Sequence, residues 1–111
     1  MTAPAPLAHT DLRALNTLHL PARAARLQPV EAALALPALT AAIADRGEPL
    51  LVLGGGSNIV FAGDFAGTVL HMRTRGIELL AQDGDTVQVA VAAGELWHDW
   101  VASALERGWY G

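Results

Sequence analysis

The chain has 111 residues, a formal net charge of −4, an isoelectric point near 5.4, and 52% hydrophobic residues at a mean hydropathy of +0.32. That length fits one small domain or part of a larger one, the apolar content excludes global disorder, and an acidic chain without a basic stripe excludes ordinary nucleic-acid binding. All seven basic residues are arginines and there is no cysteine, which removes lysine Schiff bases, the lysine-dependent phosphate loop, disulfides, thiolate zinc sites and cysteine nucleophiles.

No stretch of about 18 apolar residues occurs, so no membrane-spanning helix is expected. The start, Met1-Thr2-Ala3-Pro4-Ala5-Pro6, lacks a basic region followed by an apolar run, so no secretory signal is expected either. Together with the missing cysteines, this places the chain in the cytoplasm as an expectation.

Residues 1–10 are small and proline-rich and read as a flexible leader. Asp11 to Pro21 lacks periodicity and reads as an irregular arm, and Ala22 to Leu27 as a short strand. Glu31 to Arg46 is alanine-rich and helical, with Leu36, Leu39 and Ile43 on one face. Pro37 fits only the first turn of a helix, so the main helix is expected to start there and to stop at Arg46-Gly47. Pro49-Leu50-Leu51-Val52-Leu53 is a continuous apolar run, the pattern of a strand buried on both faces. Ile59-Val60-Phe61 is a second brief apolar segment. Thr68 to Arg73 reads as a strand. Ile77 to Ala81 and Thr86 to Ala92 flank Asp83-Gly84 as a hairpin, with Val87, Val89 and Val91 alternating as a half-buried strand does. Glu95 to Arg107 is the clearest helix, with Trp97, Trp100, Val101, Ala104 and Leu105 on one face. Glu95 suits its positive end, Arg107 its negative end, and Gly108 its stop. The fold class is α/β (α+β): a small mixed, partly parallel sheet with two main helices packed on it.

Trp109-Tyr110-Gly111 ends the sequence with two aromatic rings directly after a helix. Uncovered, they expose apolar surface that a larger protein would bury, so the chain reads as a domain cut short. The rings packing back onto the module is the alternative.

The feature that carries chemistry is the turn Gly54-Gly55-Gly56-Ser57-Asn58 after the apolar run. Glycine loses the most entropy on folding, so three in succession need a reason. One is that a backbone without Cβ atoms takes positive φ and lets a ligand approach its N–H groups, which form a concave nest for anions. Ser57 adds a hydroxyl donor and Asn58 a side-chain amide that braces the turn. The natural guest is a pyrophosphate. The turn is neither a G-x-G-x-x-G fingerprint nor a G-x-S-x-G nucleophile elbow, because Ile59 stands where the last glycine would be. On spacing alone, a tight turn without a ligand stays equally open.

With its flanks, Pro49 to Val60 resembles the first flavin-phosphate loop of the UDP-N-acetylenolpyruvoylglucosamine reductase (MurB) family. Other pieces agree in order. Asn16-Thr17-Leu18 resembles the family's Asn-Thr-Phe, and Phe65-x-Gly67-Thr68-Val69 its G-T-V/I stretch. Arg75-Gly76-Ile77 resembles its K-G-I stretch, and Ala93-Gly94-Glu95-Leu96-Trp97-His98 its A-G-E-x-W-H stretch. Gly108-Trp109-Tyr110-Gly111 resembles its helix exit. The set covers residues 11–111. Leu18 in place of the usual aromatic and Pro37 within the helix are departures.

The resemblance implies the amino-terminal portion of an FAD-binding domain of the PCMH type, shared with vanillyl-alcohol oxidases, truncated before the second flavin loop and the substrate domain. It implies a peptidoglycan-synthesis flavoenzyme. NADPH reduces FAD, and hydride passes to the enolpyruvyl group of UDP-N-acetylglucosamine enolpyruvate. Gly54, Gly55, Gly56, Ser57 and Asn58 would hold the FAD pyrophosphate. The family's serine proton donor, active-site arginine and catalytic glutamate lie beyond this sequence, so no catalytic residue is assigned and the chain alone is expected to be inactive. Its implied partners are the UDP-sugar substrate and the missing remainder of the enzyme, with no nucleic acid and no membrane.

Other chemistry-bearing residues read as structural. Glu95 and His98 lie three apart on a helix but have no third metal ligand nearby. Trp97 and Trp100 read as core anchors, His71 as part of the strand alternation, and Asp83 and Asp85 as turn residues. His9 and His19 form no constellation. Two other classes remain: a non-catalytic anion- or nucleotide-binding module that docks on another chain, and the flavin domain of a related oxidase.

Overall fold

A computed structural model describes residues 4–110. Six strands and two helices follow in the order β1 (Leu7–Asp11), β2 (Arg23–Val30), α1 (Leu36–Asp45), β3 (Leu50–Leu53), β4 (Phe65–Met72), β5 (Ile77–Asp83), β6 (Thr86–Val91) and α2 (Trp97–Glu106). β1 to β4 form one sheet in the order β1-β2-β4-β3, and β5 and β6 form a separate two-stranded ribbon. β1 runs antiparallel to β2, while β2 and β3 both run parallel to β4.

The mixed, partly parallel sheet and the hairpin follow the sequence reading, with corrections in detail. Residues 7–10, expected in the leader, pair with β2 through Leu7↔Leu27 and Thr10↔Ala24. Their short run has no alternation of its own, and β2 dictates their conformation. The first three residues of that leader, and Gly111, lie outside the described residues. β2 extends past Leu27 through Pro29. That proline is tolerated because Val30 accepts a hydrogen bond from Arg73, just past β4, so the polar groups of Pro29 point to the β1 side, beyond the last β1 pair at Leu27.

Both apolar clusters belong to the four-stranded sheet. On one face Leu12, Ala22, Ala24, Leu27, Leu53 and Val69 are buried, with Ile59 and Phe61 packed against them. The Ile59-Val60-Phe61 segment contributes those two side chains without forming a strand. On the other face Val30, Ile43, Leu70 and Met72 pack with Leu36 and Leu39 of α1. Pro37 sits in the first turn of α1, and a 3-10 turn, Ala33–Ala35, precedes the helix.

Three expectations about burial fail. β3 is an edge strand, not a strand buried on both faces: Leu50 is 43% and Val52 60% exposed. α1 reaches over β2 and β4 but not over β3. Of the two helices only α1 packs on the sheet among the described residues, since neither cluster contains a residue of α2. Trp97 is 74% exposed rather than a core anchor, and Ala104 is the one buried residue of α2. The carboxyl end of α2 instead faces the hairpin across a cleft of about 720 Å³, lined by Val87, Val89, Trp100 and Trp109 among others. Trp109 lies under the Arg107 guanidinium, 5.0 Å from its ring centre, and Tyr110 is exposed. The radius of gyration, 16.3 Å, exceeds the roughly 13 Å of a compact chain this long, as expected of a single packed sheet with a thinly covered appendage.

An ion cluster fixes the amino end of β3. Glu48 accepts from Arg26 of β2 at 3.0 Å, from Arg46 at 3.2 Å and from the Thr68 hydroxyl of β4 at 2.6 Å. Foremost through Arg26 and then Thr68, these donors pull its pKa from 4.5 to about 2. Because folding lowers this pKa, the stabilisation is complete above about pH 4.5 and is lost as pH falls toward 2. Urea midpoints measured from pH 2 to 6 are expected to fall more steeply on the acid side for the native protein than for Glu48→Gln. Parallel acid limbs would show that the cluster contributes nothing.

Candidate functional site

The turn begins where β3 ends. Leu53↔His71 is the last pair between β3 and β4, and Gly54 follows at the carboxyl edge of the parallel strands. Ligand sites in α/β sheets gather at that edge. Gly56 is buried with φ +77°, Gly54 is half-buried, and Gly55, Ser57 and Asn58 are exposed. Among the described residues, no backbone N–H from Gly54 to Asn58 donates to an acceptor within the chain. The turn's one backbone bond is accepted, by the Gly56 carbonyl from the Thr17 N–H at 3.0 Å. A segment with unpaired donors and one tied carbonyl is suited to holding an anion.

The inner wall is the arm over residues 12–20. Leu12 is fully buried and donates its N–H to Ala22. Asn16, only 2% exposed, closes the arm on itself. Its Nδ2 donates to the carbonyls of Leu12 at 2.9 Å and Leu20 at 3.2 Å, and its Oδ1 accepts from the Leu20 N–H at 2.9 Å. This satisfied polar network presses the backbone of Leu15 and Asn16 against Gly56. A Cβ at Gly56 would overlap the Leu15 carbonyl oxygen and stand 2.9 Å from the Asn16 Cα.

The outer wall is the segment before α2. A Cβ at Gly94 would meet the Thr74 backbone and lie 2.6 Å from the Arg73 carbonyl carbon, so only glycine allows this crossing. The Gly94 N–H donates to Thr74 Oγ1 at 3.2 Å, and its carbonyl accepts from Arg75 at 2.6 Å. Glu95 lies just before α2, accepts from the Gly76 N–H at 2.8 Å and pairs with Arg75 at 3.6 Å. That clamp sets the Ala93 carbonyl 3.7 Å from a Cβ position at Gly54, and the Leu96 Cδ2 3.0 Å from one at Gly55.

All five turn residues therefore stay together, and the structure adds Asn16, Thr17, Leu96 and the Gly94 crossing around them. The Asn16-Thr17 and Gly94-Glu95 pieces were visible only through the family resemblance. Leu96 had no signal beyond its place in that stretch. His71, beside Leu53 at the strand end, is half-buried, and burial first, then Arg73, lowers its pKa. Among the described residues no three His, Cys, Asp or Glu side chains gather at metal-binding range, so Glu95 and His98 gain no third ligand. No helix among these residues is long and apolar enough to cross a membrane.

The family model described as FAD binding domain matches residues 27–111. The UDP-N-acetylenolpyruvoylglucosamine reductase of Azoarcus sp. is 51% identical over 96% of this chain and 33% of its own length. The protein of the same name from Chromobacterium violaceum is 46% identical over 94% of this chain and 30% of its own length. That from Dechloromonas aromatica is 45% identical over 96% and 30%. The chain thus spans about a third of the length of the curated relatives it matches.

The packing at the turn has a direct test in two glycines with the same sign of φ. Gly56→Ala is expected to cost about 2–5 kcal/mol, from left-handed strain plus overpacking. Gly47→Ala, at φ +65° with nothing within 4 Å, is expected to cost about 1–2 kcal/mol from strain alone. Urea denaturation of the two variants checks this, and equal losses would refute the crowding at Gly56.

Proposed function

The chain belongs to the FAD-binding domain family, and we propose that it forms the amino-terminal, pyrophosphate-holding part of a UDP-N-acetylenolpyruvoylglucosamine reductase. The observation that carries this is the row of unpaired N–H donors from Gly54 to Asn58 at the carboxyl edge of β3 and β4, within a segment that matches the FAD-binding family.

The residues fit a diphosphate. The Gly54–Asn58 amides donate to its oxygens, and the exposed Ser57 hydroxyl and Asn58 amide add donors beside them. Among the described residues no side chain hydrogen-bonds to the turn, and the Arg75–Gly94–Glu95 clamp holds the outer wall in place before any ligand arrives. The flavin supplies hydride transfer, with NADPH as reductant and an enolpyruvyl UDP-sugar as acceptor in peptidoglycan precursor synthesis. This chain's own contribution is binding and orientation. The acid–base groups and the sugar site belong to the remaining polypeptide, which would also cover the exposed apolar residues of β3 and α2. A cytoplasmic location accords with that chemistry.

Gly55 is the position to challenge. In the complete protein, Gly55→Asp is expected to weaken FAD binding at least about tenfold, through bulk against Leu96 and negative charge beside a diphosphate. A fluorescence titration of the flavin measures it, and unchanged affinity would remove the turn from the site. The 111-residue chain by itself is expected to oxidise no NADPH and to keep no stoichiometric FAD through gel filtration. Turnover or a yellow eluate would contradict this assignment of labour.

A further inference from the structure

We propose that Asn16 is a positioning residue for the diphosphate-holding turn, acting through the Thr17 N–H on the Gly56 carbonyl. The proposal rests on the reading that this turn holds the FAD diphosphate.

The Asn16 side chain is buried and commits its hydrogen-bonding groups to the arm, on Leu12 and Leu20, so it has no direct role toward a ligand. What it controls is the apex of the arm. With Leu12 anchored in the core and the loop closed at Leu20, the Thr17 N–H is delivered to Gly56 at 3.0 Å. A trans peptide is planar, with its carbonyl and N–H pointing in opposite directions. Tying the Gly56 carbonyl to the arm therefore turns the Ser57 N–H, in the same peptide, away from the arm. Ser57 is exposed, so the side away from the arm is open to an arriving anion. Without the tie, that peptide loses one of its restraints, glycine tolerates other orientations, and the Ser57 N–H loses its fixed direction.

The bond can be broken at Thr17. The His19 N–H donates to the Asn16 carbonyl at 3.1 Å, which makes residues 16–19 a turn with Thr17 in its second position, where proline is favoured. Asn16 is extended, with φ −134° and ψ 144°, as the residue before a proline prefers. Thr17→Pro thus keeps the turn and the Asn16 side-chain bonds, while it removes the N–H and sets the ring Cδ against the Gly56 carbonyl oxygen, pushing that carbonyl off the arm.

In the complete flavoprotein, Thr17→Pro is expected to raise the dissociation constant for FAD at least about fivefold, through the loss of one net hydrogen bond and the displaced carbonyl. Binding of riboflavin, which carries no phosphate, is expected to stay unchanged, while the urea midpoint falls modestly, as it does where a proline replaces a bonded N–H. Asn16→Ala should show the same selective loss of FAD over riboflavin, more strongly, on top of a lower urea midpoint. Unchanged FAD affinity in Thr17→Pro, while Gly55→Asp still weakens it, would overturn the positioning role and leave the turn assignment standing. FAD affinity unchanged in both would sink the turn assignment itself. Equal losses for FAD and riboflavin alongside a lower midpoint would reduce Asn16 to a structural part of the arm.

Discussion

The site depends on two stretches of backbone sharing a space that one methyl group would fill. The Leu15-Asn16 backbone lies where a Gly56 side chain would begin. That contact closes the inner side of the turn. A second crossing, Gly94 over Thr74, builds the opposite wall by the same means. Backbone contacts are stiffer than side-chain contacts because they carry no rotamers to rearrange. A groove with two such walls holds its donors in place without help from a ligand, and lower ordering cost on binding is the benefit of preorganisation.

Charge is arranged to match. The Glu48 cluster with Arg26, Arg46 and Thr68 stands at the amino end of β3, while the unpaired amides stand at its carboxyl end. The carboxylate is thereby a strand's length from the turn, and its own donors already surround it. Were Glu48 at the other end, its negative charge would oppose an anion there. β3 is short, only Leu50–Leu53, and held at one edge by β4. The cluster at its start and the crossing at Gly56 after its end fix both limits of a strand that pairing alone would hold weakly.

Local pattern foretold the elements whose burial is decided locally. The β5–β6 hairpin is legible in Asp83-Gly84 ahead of the alternating Val87, Val89 and Val91, and α1 in the Leu36, Leu39, Ile43 stripe, since turn chemistry and periodicity act within a few residues. β1 was not legible, because Leu7 to Asp11 is a strand only by pairing with β2. The apolar Leu50 to Leu53 run suggested a doubly covered strand, yet sheet order puts it at an edge, and order is a long-range property. Trp97 misleads in the same way: its helical spacing marks an apolar face, but spacing does not say what covers that face. Within the site, the five turn residues stood out by composition. Asn16 did not, since a lone asparagine in an irregular arm looks like any loop residue until its three hydrogen bonds are seen.

The three glycines themselves turn out to be weaker evidence for a ligand than their succession suggests. Gly56 is required by the arm and by its φ of +77°, and would be required with no ligand at all. Gly55 is squeezed by the Leu96 side chain, a contact between protein groups. Gly54 has room for a Cβ in ordinary contact with the Ala93 carbonyl. Steric demand thus explains one glycine fully and a second in part. What protein packing does not explain is the row of amides with no acceptor. Polar backbone groups in folded chains find partners, in the chain or outside it. Water would serve any exposed turn. Here the donors are gathered at the carboxyl edge of parallel strands, between two rigid walls, in a chain of the FAD-binding family. A diphosphate has the charge and the several acceptor oxygens to engage such a row at once, so the flavin assignment rests on the donors rather than on the missing side chains.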